Sequence, residues 1–190
     1  MKRNENAFTG LEAAIVLIAF VVVAAVFSYV MLGSGFFTAQ KAQEVVHTGI
    51  GQASSSIEVT GDVYGYGNGT GDNQGGLGTV TATIALTSGM TPMNISAMVV
   101  SYTDRNQRSY LTYASGDASA GQWNISKFFN NITDDTVLEP TEKMTLTYVL
   151  PTPVPSANTK FTILMQPETG ALSSIVRTVP ANIYSVNILR

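Results

Sequence analysis

The sequence contains no cysteine and a single histidine, His47, in 190 residues. Without cysteine, the chain has no disulfide, no thiolate metal ligand and no catalytic thiol. One imidazole leaves no second histidine as a metal ligand, and a catalytic triad could recruit only this residue. The sequence therefore predicts a protein that is not an enzyme and has no catalytic residues, no metal ligands and no cofactor.

Charged residues are also scarce. They make up 12% of the chain, about half of the ~25% typical of soluble globular domains. The formal net charge is −3, and no cluster of Lys or Arg is present that could neutralise a row of phosphates. These two observations exclude nucleic acid as an expected partner.

What the chain does have is a long apolar run behind a short basic leader. Residues 13–32 are twenty in number, and only Ser28 and the hydroxyl of Tyr29 are polar among them. As a helix with a rise of 1.5 Å per residue, this run spans roughly 30 Å, the thickness of a bilayer core. Lys2 and Arg3 precede it, so we expect the leader to stay cytoplasmic and the rest of the chain to cross the membrane.

Three interpretations of this run compete. A secretory signal is too short, because its apolar region is about 7–15 residues long and ends in a cleavage site. A single-span anchor fits the length but gives no reason for the acid Glu12 at the start of the run. The third interpretation is a cut on the cytoplasmic side, between Ala7 and Phe8, that keeps the whole run in the mature protein.

The third interpretation matches a known pattern. The basic leader, Ala7, residues 8–12 (FTGLE) and the apolar helix after them resemble the class III signal peptides of type IV pilins and archaeal flagellins (archaellins). The resemblance implies that a prepilin-type peptidase removes residues 1–7, so that Phe8 becomes the first mature residue and Glu12 the fifth. It also implies that Glu12 faces the free amino group of a neighbouring subunit, where the helix dipole favours a carboxylate. The alternative role of Glu12 is a charge lying at the headgroup level.

The helix is expected to continue beyond the apolar run, from about residue 9 to 55 within a segment 8–57. Residues 36–55 keep helix formers and apolar positions, and Lys41 and Glu44 are spaced as an i,i+3 pair. A membrane anchor would not need this outer half of the helix, whereas a helix in the core of a filament would. Burial of about 1 kcal/mol per large apolar side chain makes a return to water prohibitive. In the membrane, lipid covers the same apolar surface. The balance between membrane and filament therefore depends on helix packing, the Glu12 contact, loss of the leader and an assembly machine.

From residue 58 onward the pattern changes to alternation with a period of two. Such runs, separated by turn-rich stretches, predict antiparallel strands. We therefore predict an α+β protein, in which the helix is followed by an antiparallel β-sandwich of immunoglobulin-like kind over residues 58–190. The alternating runs are residues 79–87, 144–150, 161–165 and 184–188, with weaker ones at 97–102, 108–113 and 173–179.

The glycine-rich segment 61–78 is similar in composition to a phosphate-binding loop, but its residues do not fit that motif. It contains eight glycines but lacks the Gly-Lys-Ser/Thr ending, and no helix pattern follows. Asp62 and Asp72 could join a calcium site, but a flexible surface loop is the favoured prediction.

Four Asn-x-Ser/Thr sequons, all in the outer domain, mark candidate N-glycosylation sites at Asn68, Asn94, Asn124 and Asn131. An exported chain would meet the modifying enzyme. Three aromatic residues near two of these sequons, Trp123, Phe128 and Phe129, are predicted to belong to the core and not to a sugar-stacking platform.

A second resemblance to archaellins lies in the last third of the chain. Residues 138–143 (LEPTEK), 166–171 (QPETGA) and 177–180 (RTVP) follow the order of the family pattern. Many archaellins have Gly both before the cut and at the fifth mature position, so Ala7 and Glu12 are more pilin-like.

The archaellin resemblance implies a helical homopolymer for swimming, displayed outside the cell after a precursor stage in the cytoplasmic membrane. Its implied partners are identical subunits, the peptidase, and the assembly ATPase and platform protein. The alternatives are an archaeal type IV adhesion pilin and a single-span, surface-anchored binding protein.

Overall fold

The computed structural model describes residues 5–69, 75–87, 91–131 and 135–190. Lys2, Arg3 and Asp72, which entered the sequence argument, lie outside the described residues. The chain divides into two compact units, Met1–Gly49 and Ile50–Arg190, and each is described by itself.

The first element is one uninterrupted helix, α1, at Glu5–Ser54. Its 50 residues correspond to a length of about 75 Å, and the helix continues through Gly33 and Gly35. The predicted pair on its surface is present, because Lys41 Nζ donates a 2.6 Å hydrogen bond to Glu44 Oε2.

The rest of the chain is built from strands and one short 3₁₀ turn, Ile95–Ala97. The strands are β1 (Ile57–Val59), β2 (Val63–Gly67), β3 (Leu77–Leu86), β4 (Met93–Asn94), β5 (Val99–Thr103), β6 (Arg108–Tyr113), β7 (Gln122–Phe129), β8 (Val137–Leu138), β9 (Lys143–Val149), β10 (Lys160–Gln166), β11 (Ser173–Thr178) and β12 (Val186–Leu189).

Nine strands follow one hydrogen-bonded path in the order β11-β10-β5-β6-β7-β9-β3-β2-β12, with β1 beside β3 and a separate β4–β8 pair. The pairings are antiparallel except the short one between β6 and β7. The path folds into two layers that face each other. The evidence is a contact between them: the hydroxyl of Tyr148 on β9 donates to Met165 Sδ on β10 at 2.9 Å inside the domain. The predicted fold class, a long helix followed by an antiparallel β-domain, is confirmed.

The core lies between these two layers and follows from the alternation of the strands. In β3, Val80, Ala82 and Ile84 are buried while the threonines between them are not. Trp123 is fully buried at the centre, with its ring centroid 4.9 Å from that of Tyr113. In the second layer, Tyr102 stacks on Phe161 with ring centroids 6.2 Å apart.

Three details of the β-domain correct the sequence predictions. The segment predicted as a flexible glycine-rich loop contains β2, in which a Cβ on Gly65 would lie 2.7 Å from Leu77 Cδ1. Strand β7 was not predicted, although the prediction that Trp123 is buried is correct. The prediction that Phe128 and Phe129 belong to the core is wrong, since they are 40% and 46% exposed.

Two of the three motifs that carry the family resemblance form local structures held by backbone and side-chain hydrogen bonds. In LEPTEK, Glu142 is buried and its carboxylate accepts a hydrogen bond from the Glu139 N–H at 2.9 Å. In QPETGA, Gly170 has φ +111°, and a Cβ there would lie 2.1 Å from the carbonyl oxygen of Ser55. Only glycine fits that position, and the Ala171 N–H then donates to Ser55 O at 3.0 Å.

Candidate assembly surface

The most unusual surface of the molecule is that of α1. From Thr9 to Ile50 every side chain is exposed, and the stretch Thr9–Gln52 is long and apolar enough to cross a membrane. Among the described residues, twenty large apolar side chains of this helix are more than half exposed: Leu11, Ile15, Val16, Leu17, Ile18, Phe20, Val21, Val22, Val23, Val26, Phe27, Tyr29, Val30, Met31, Leu32, Phe36, Phe37, Val45, Val46 and Ile50.

These side chains surround the helix and do not form a single stripe. The run from Ile15 to Ile18 and that from Val21 to Val23 place consecutive apolar residues about 100° apart, so no face is polar within the run 13–32. A helix that is apolar all round belongs in a protein core or in lipid. The surface therefore requires covering by lipid or by other protein.

Glu12 is the one acid in this apolar surface between Thr9 and Lys41. It is exposed, and within the described chain its carboxylate has no ion-pair partner. Ala7 and Phe8 lie in the helix backbone one turn or more before it. Among the described side chains, Glu12 thus presents an exposed carboxylate without an ion-pair partner, five residues after Ala7.

Two of the four sequons expose their asparagine. Asn68 follows β2 directly and is exposed. Asn94 is exposed as well, and its Oδ1 accepts hydrogen bonds from the N–H and the hydroxyl of Ser96, at 3.1 and 2.7 Å. The amide nitrogen of Asn94 donates none of these bonds.

The other two sequon asparagines use their amide nitrogens in the fold. Asn124 lies in β7, where its Nδ2 donates to Gly116 O at 2.7 Å and its Oδ1 is buried. Asn131 Nδ2 donates to Asp135 O at 3.1 Å. The four candidate sites are therefore not equivalent.

No metal-binding arrangement accompanies these features. Over the described ranges, no group of three or more His, Cys, Asp or Glu side chains comes together. His47 lies alone on the exposed helix, and Asp62 lies on the outer surface of the β-domain beside Tyr64 and Tyr66.

One carboxylate of the β-domain has a structural role. Asp104 accepts hydrogen bonds from the Tyr102 hydroxyl at 2.7 Å and from the N–H groups of Asn106 and Gln107 at 2.6 and 2.8 Å. Burial raises the pKa of Asp104, but these hydrogen bonds outweigh burial and hold it below its usual value. Burial and the bond to Asp104 raise the pKa of Tyr102, and burial raises that of Tyr148.

A complete β-domain joined in sequence to a helix that leaves its own apolar surface uncovered defines a protein whose helix is covered by lipid or by other protein. Comparison with known proteins identifies the class. The archaeal-type flagellin family matches residues 7–177. Probable flagellin 1 of Archaeoglobus fulgidus is 39% identical, covering 98% of this chain and 96% of that protein. Probable flagellin 2 of the same organism is 36% identical, covering 100% and 97%.

A solved structure agrees with these relatives. A chain in the archaeal flagellum of Methanospirillum hungatei strain JF1 has a TM-score of 0.73 at 34% identity, covering 95% of this chain and 99% of that one. The protein belongs to the archaeal-type flagellin family. As a flagellin it is a structural filament subunit, and neither the adhesion pilin nor the anchored binding protein is favoured.

Proposed function

We propose that the helices of many copies bundle into the core of a swimming filament outside the cell and that the β-domains form its outer layer. The observation that supports this is the apolar surface of α1, which the chain leaves exposed on all sides. The membrane holds this surface in the precursor, and sister helices cover it in the filament. Since lipid and neighbouring helices both satisfy apolar side chains, transfer gains little from the hydrophobic effect. An assembly ATPase and a platform protein supply the work.

The switch between the two locations is removal of residues 1–7 by a prepilin-type peptidase. In the precursor, α1 begins at Glu5, seven residues before Glu12. After the cut it begins at Phe8, so Glu12 moves into the second turn, nearer the positive end of the helix dipole. The new α-amino group of a neighbouring subunit pairs with the Glu12 carboxylate and offsets the cost of burying it.

Intact-mass measurement of subunits from sheared filaments tests the cut. We expect a mass that begins at Phe8, and a full-length precursor mass in cells that lack the peptidase. Filament subunits that retain residues 1–7 would contradict the proposal.

A matched pair of variants tests the Glu12 contact. Glu12→Gln keeps the size of the side chain and removes its charge, so we expect few or no filaments by electron microscopy. Glu44→Gln makes the same change at an exposed position of the same helix, next to Lys41, and should leave filaments intact. Equal filament yields from the two variants would show that Glu12 has no pairing role.

Deletion of the gene tests the cellular role. We expect loss of swimming, with recovery on complementation. A deletion strain that swims normally but no longer adheres to surfaces would instead favour the adhesion pilin.

We also propose that the glycans lie on Asn68 and Asn94, because both residues are exposed and neither amide nitrogen donates a hydrogen bond within the part of the chain that the structure describes. Glycopeptide mass spectrometry should show that Asn68→Gln and Asn94→Gln each remove glycan mass. Asn124→Gln and Asn131→Gln should leave the glycan mass unchanged, and glycan found at either of those sites would contradict the assignment of the glycans to Asn68 and Asn94.

A further inference from the structure

The outer face of the layer that contains β2, β3, β9 and β7 carries a groove, and the strand registers explain its shape. These four strands are neighbours in the order β7-β9-β3-β2. The two central strands place threonines on the outer face, with Thr81 opposite Thr147 and Thr83 opposite Thr145. The outward residues of β2 and β7 are larger. Small side chains between two rows of larger ones therefore form a floor with two walls.

Each wall of the groove contains aromatic rings and one charge. Tyr64 and Tyr66 on β2, with Asp62 just before the strand, form the first wall, and Lys127 and Phe129 on β7 form the second. The three rings are between 38% and 46% exposed. The groove has a volume of about 500 Å³, which lies within the range of sites for small ligands.

The floor of the groove supplies hydrogen-bonding groups that the fold uses only in part. The hydroxyls of Thr83 and Thr145 share one hydrogen bond of 2.9 Å. Thr79 and Thr81 are half-buried floor residues, and their hydroxyls have no hydrogen-bond partner among the residues that the structure describes. The floor therefore offers both donors and acceptors to a ligand.

A carbohydrate matches this combination of groups. The C–H face of a sugar ring is apolar and packs on an aromatic ring, whereas the hydroxyls at its edge both donate and accept hydrogen bonds. The walls supply aromatic rings, the Asp62 carboxylate accepts hydrogen bonds and the Lys127 ammonium donates them. A purely apolar partner would bury these polar groups without replacing their hydrogen bonds to water, at a cost in free energy.

A candidate glycosylation site lies at the end of the first wall. The Asn68 N–H donates to Gly76 O at 2.8 Å, so strand pairing continues past Tyr66. Since alternate residues of a strand point to the same face, Asn68 continues the outward series about 7 Å beyond Tyr66. Its exposed side chain lies beside Gly78, where a Cβ would be 2.9 Å from Asn68 Cβ, and Gly78 directly precedes the floor residue Thr79. A glycan on Asn68 therefore starts at one end of the groove.

We propose that the glycan attached to Asn68 folds back into this groove and packs its first sugars on Tyr66 and Tyr64. A ligand held by a short flexible tether has an effective concentration in the millimolar range, so even a weak sugar site is occupied. The docked glycan covers the aromatic wall that the described chain leaves exposed. This inference rests on the proposed glycosylation of Asn68.

Oxidation of tyrosine side chains by hydroxyl radicals, measured by mass spectrometry, tests the docking. Subunits from filaments are solubilised in detergent, so that neighbouring subunits do not cover the groove. We expect Tyr64 and Tyr66 to be oxidised several-fold more slowly in the glycosylated wild type than in Asn68→Gln. Tyr110, which is 66% exposed on β6 of the other layer, is the internal control and should be oxidised equally in both proteins.

Two further variants separate the glycan from the asparagine itself. Thr70→Ala removes the sequon and keeps Asn68, so it should speed the oxidation of the two tyrosines as Asn68→Gln does. Asn94→Gln removes a different proposed glycan and should leave their oxidation unchanged.

The outcomes distinguish this inference from the glycan assignment. Wild-type subunits with glycan on Asn68 but with the tyrosine oxidation of Asn68→Gln would overturn the docking alone. Absence of glycan from Asn68 would overturn both proposals. Slow oxidation of Tyr64 in Asn68→Gln filaments that becomes fast on solubilisation would assign the groove to a neighbouring subunit and also overturn the docking.

Thermal unfolding of the solubilised subunit provides a second, independent measurement. Asn68→Gln should lower the unfolding temperature in the wild-type background and have little further effect in the Tyr64→Ala background, because the glycan then lacks its wall. Tyr110→Ala is the matched background and should show the full loss. Equal losses in the Tyr64→Ala and Tyr110→Ala backgrounds would contradict the contact between the glycan and Tyr64.

Discussion

The helix and the β-domain solve the problem of apolar surface in opposite ways. In the β-domain, alternation sends one side of each strand into a shared core, and Trp123, Tyr148 and Phe161 are fully buried there. In α1, the side chains from Thr9 to Ile50 are all exposed. The domain is complete within one chain, whereas the helix depends on what surrounds it. The difference gives the stability of the subunit to the β-domain, and under the proposed function it gives the stability of the filament to the helix.

The largest expected effect separates a filament core from a membrane anchor. Phe37 is 69% exposed and lies beyond the apolar run 13–32, so lipid need not cover it. Burying a charge there without a partner costs several kcal/mol, and Phe37→Asp should abolish filaments in electron micrographs.

Two observations control the Phe37 experiment. Phe37→Leu should assemble normally, and the amount of Phe37→Asp subunit in the membrane fraction should equal that of the wild type. Normal filaments from Phe37→Asp would mean that the outer half of α1 is not packed against sister helices.

The next effect belongs to the β-domain. Trp123→Ala removes a fully buried ring that lies against Tyr113 and Tyr148, which should lower the free energy of unfolding by about 3–5 kcal/mol. Thermal unfolding of the detergent-solubilised subunit, followed by circular dichroism, measures this loss. Phe128→Ala, at a 40% exposed position of the same strand, should cost much less, and equal losses would contradict the assigned core.

Gly170→Ala should have a smaller effect, of about 1–3 kcal/mol from backbone strain alone. The cause is the φ of +111° and the 2.1 Å approach of a Cβ to Ser55 O. Gly116→Ala is the matched control, because a Cβ at Gly116 meets nothing within 4 Å. Unfolding temperatures that fall equally for both variants would rule out the Ser55 contact as the reason.

The smallest effect concerns pH. The folded-state pKa of Asp104 is lowered, so its stabilising contribution is present above the ordinary carboxyl pKa of about 3.9. It is lost as the pH falls through the lower folded value. Unfolding temperatures measured between pH 2 and 6 should therefore decline less steeply in Asp104→Asn than in the wild type. Asp62→Asn serves as the exposed control, and a slope unchanged by Asp104→Asn would contradict the role of its hydrogen bonds.

The sequence predicts the parts of the fold whose residues repeat with a clear period. The helix was expected at about residues 9–55 and is found at Glu5–Ser54, because its apolar residues and helix formers continue without interruption. Strands β3, β9 and β10 were expected where alternation is strict, and β6 was predicted with its exact bounds.

The elements that the sequence missed lack such a period. In β7, a register shift between Ile125 and Lys127 breaks the alternation, so the strand has no regular pattern to detect. In β2, a glycine takes the inward position because the side chains of Leu77 and Leu189 fill the space of its Cβ. The alternating Tyr64 and Tyr66 were the available signal.

The candidate site also contains residues that the sequence could predict and residues that it could not. Ala7, Phe8 and Glu12 were recognised by resemblance, since a cut and a contact with another subunit leave no periodic pattern in one chain. The exposed apolar block on β2 and β12 was missed because its halves, Tyr64 with Tyr66 and Val186 with Ile188, are more than a hundred residues apart in sequence and meet only through the pairing of the two strands. Long-range strand pairing is the information that local patterns do not contain.

The segment that leads into the β-domain is fastened to both layers at once. The Thr87 N–H at the end of β3 donates to Ser56 O at 2.9 Å, and the Ala171 N–H just before β11 donates to Ser55 O at 3.0 Å. Tension or torque that reaches these two serines is therefore shared between the two layers. In a filament built from such subunits, mechanical load that reaches Ser55 and Ser56 passes through these hydrogen bonds into both layers of the outer domain.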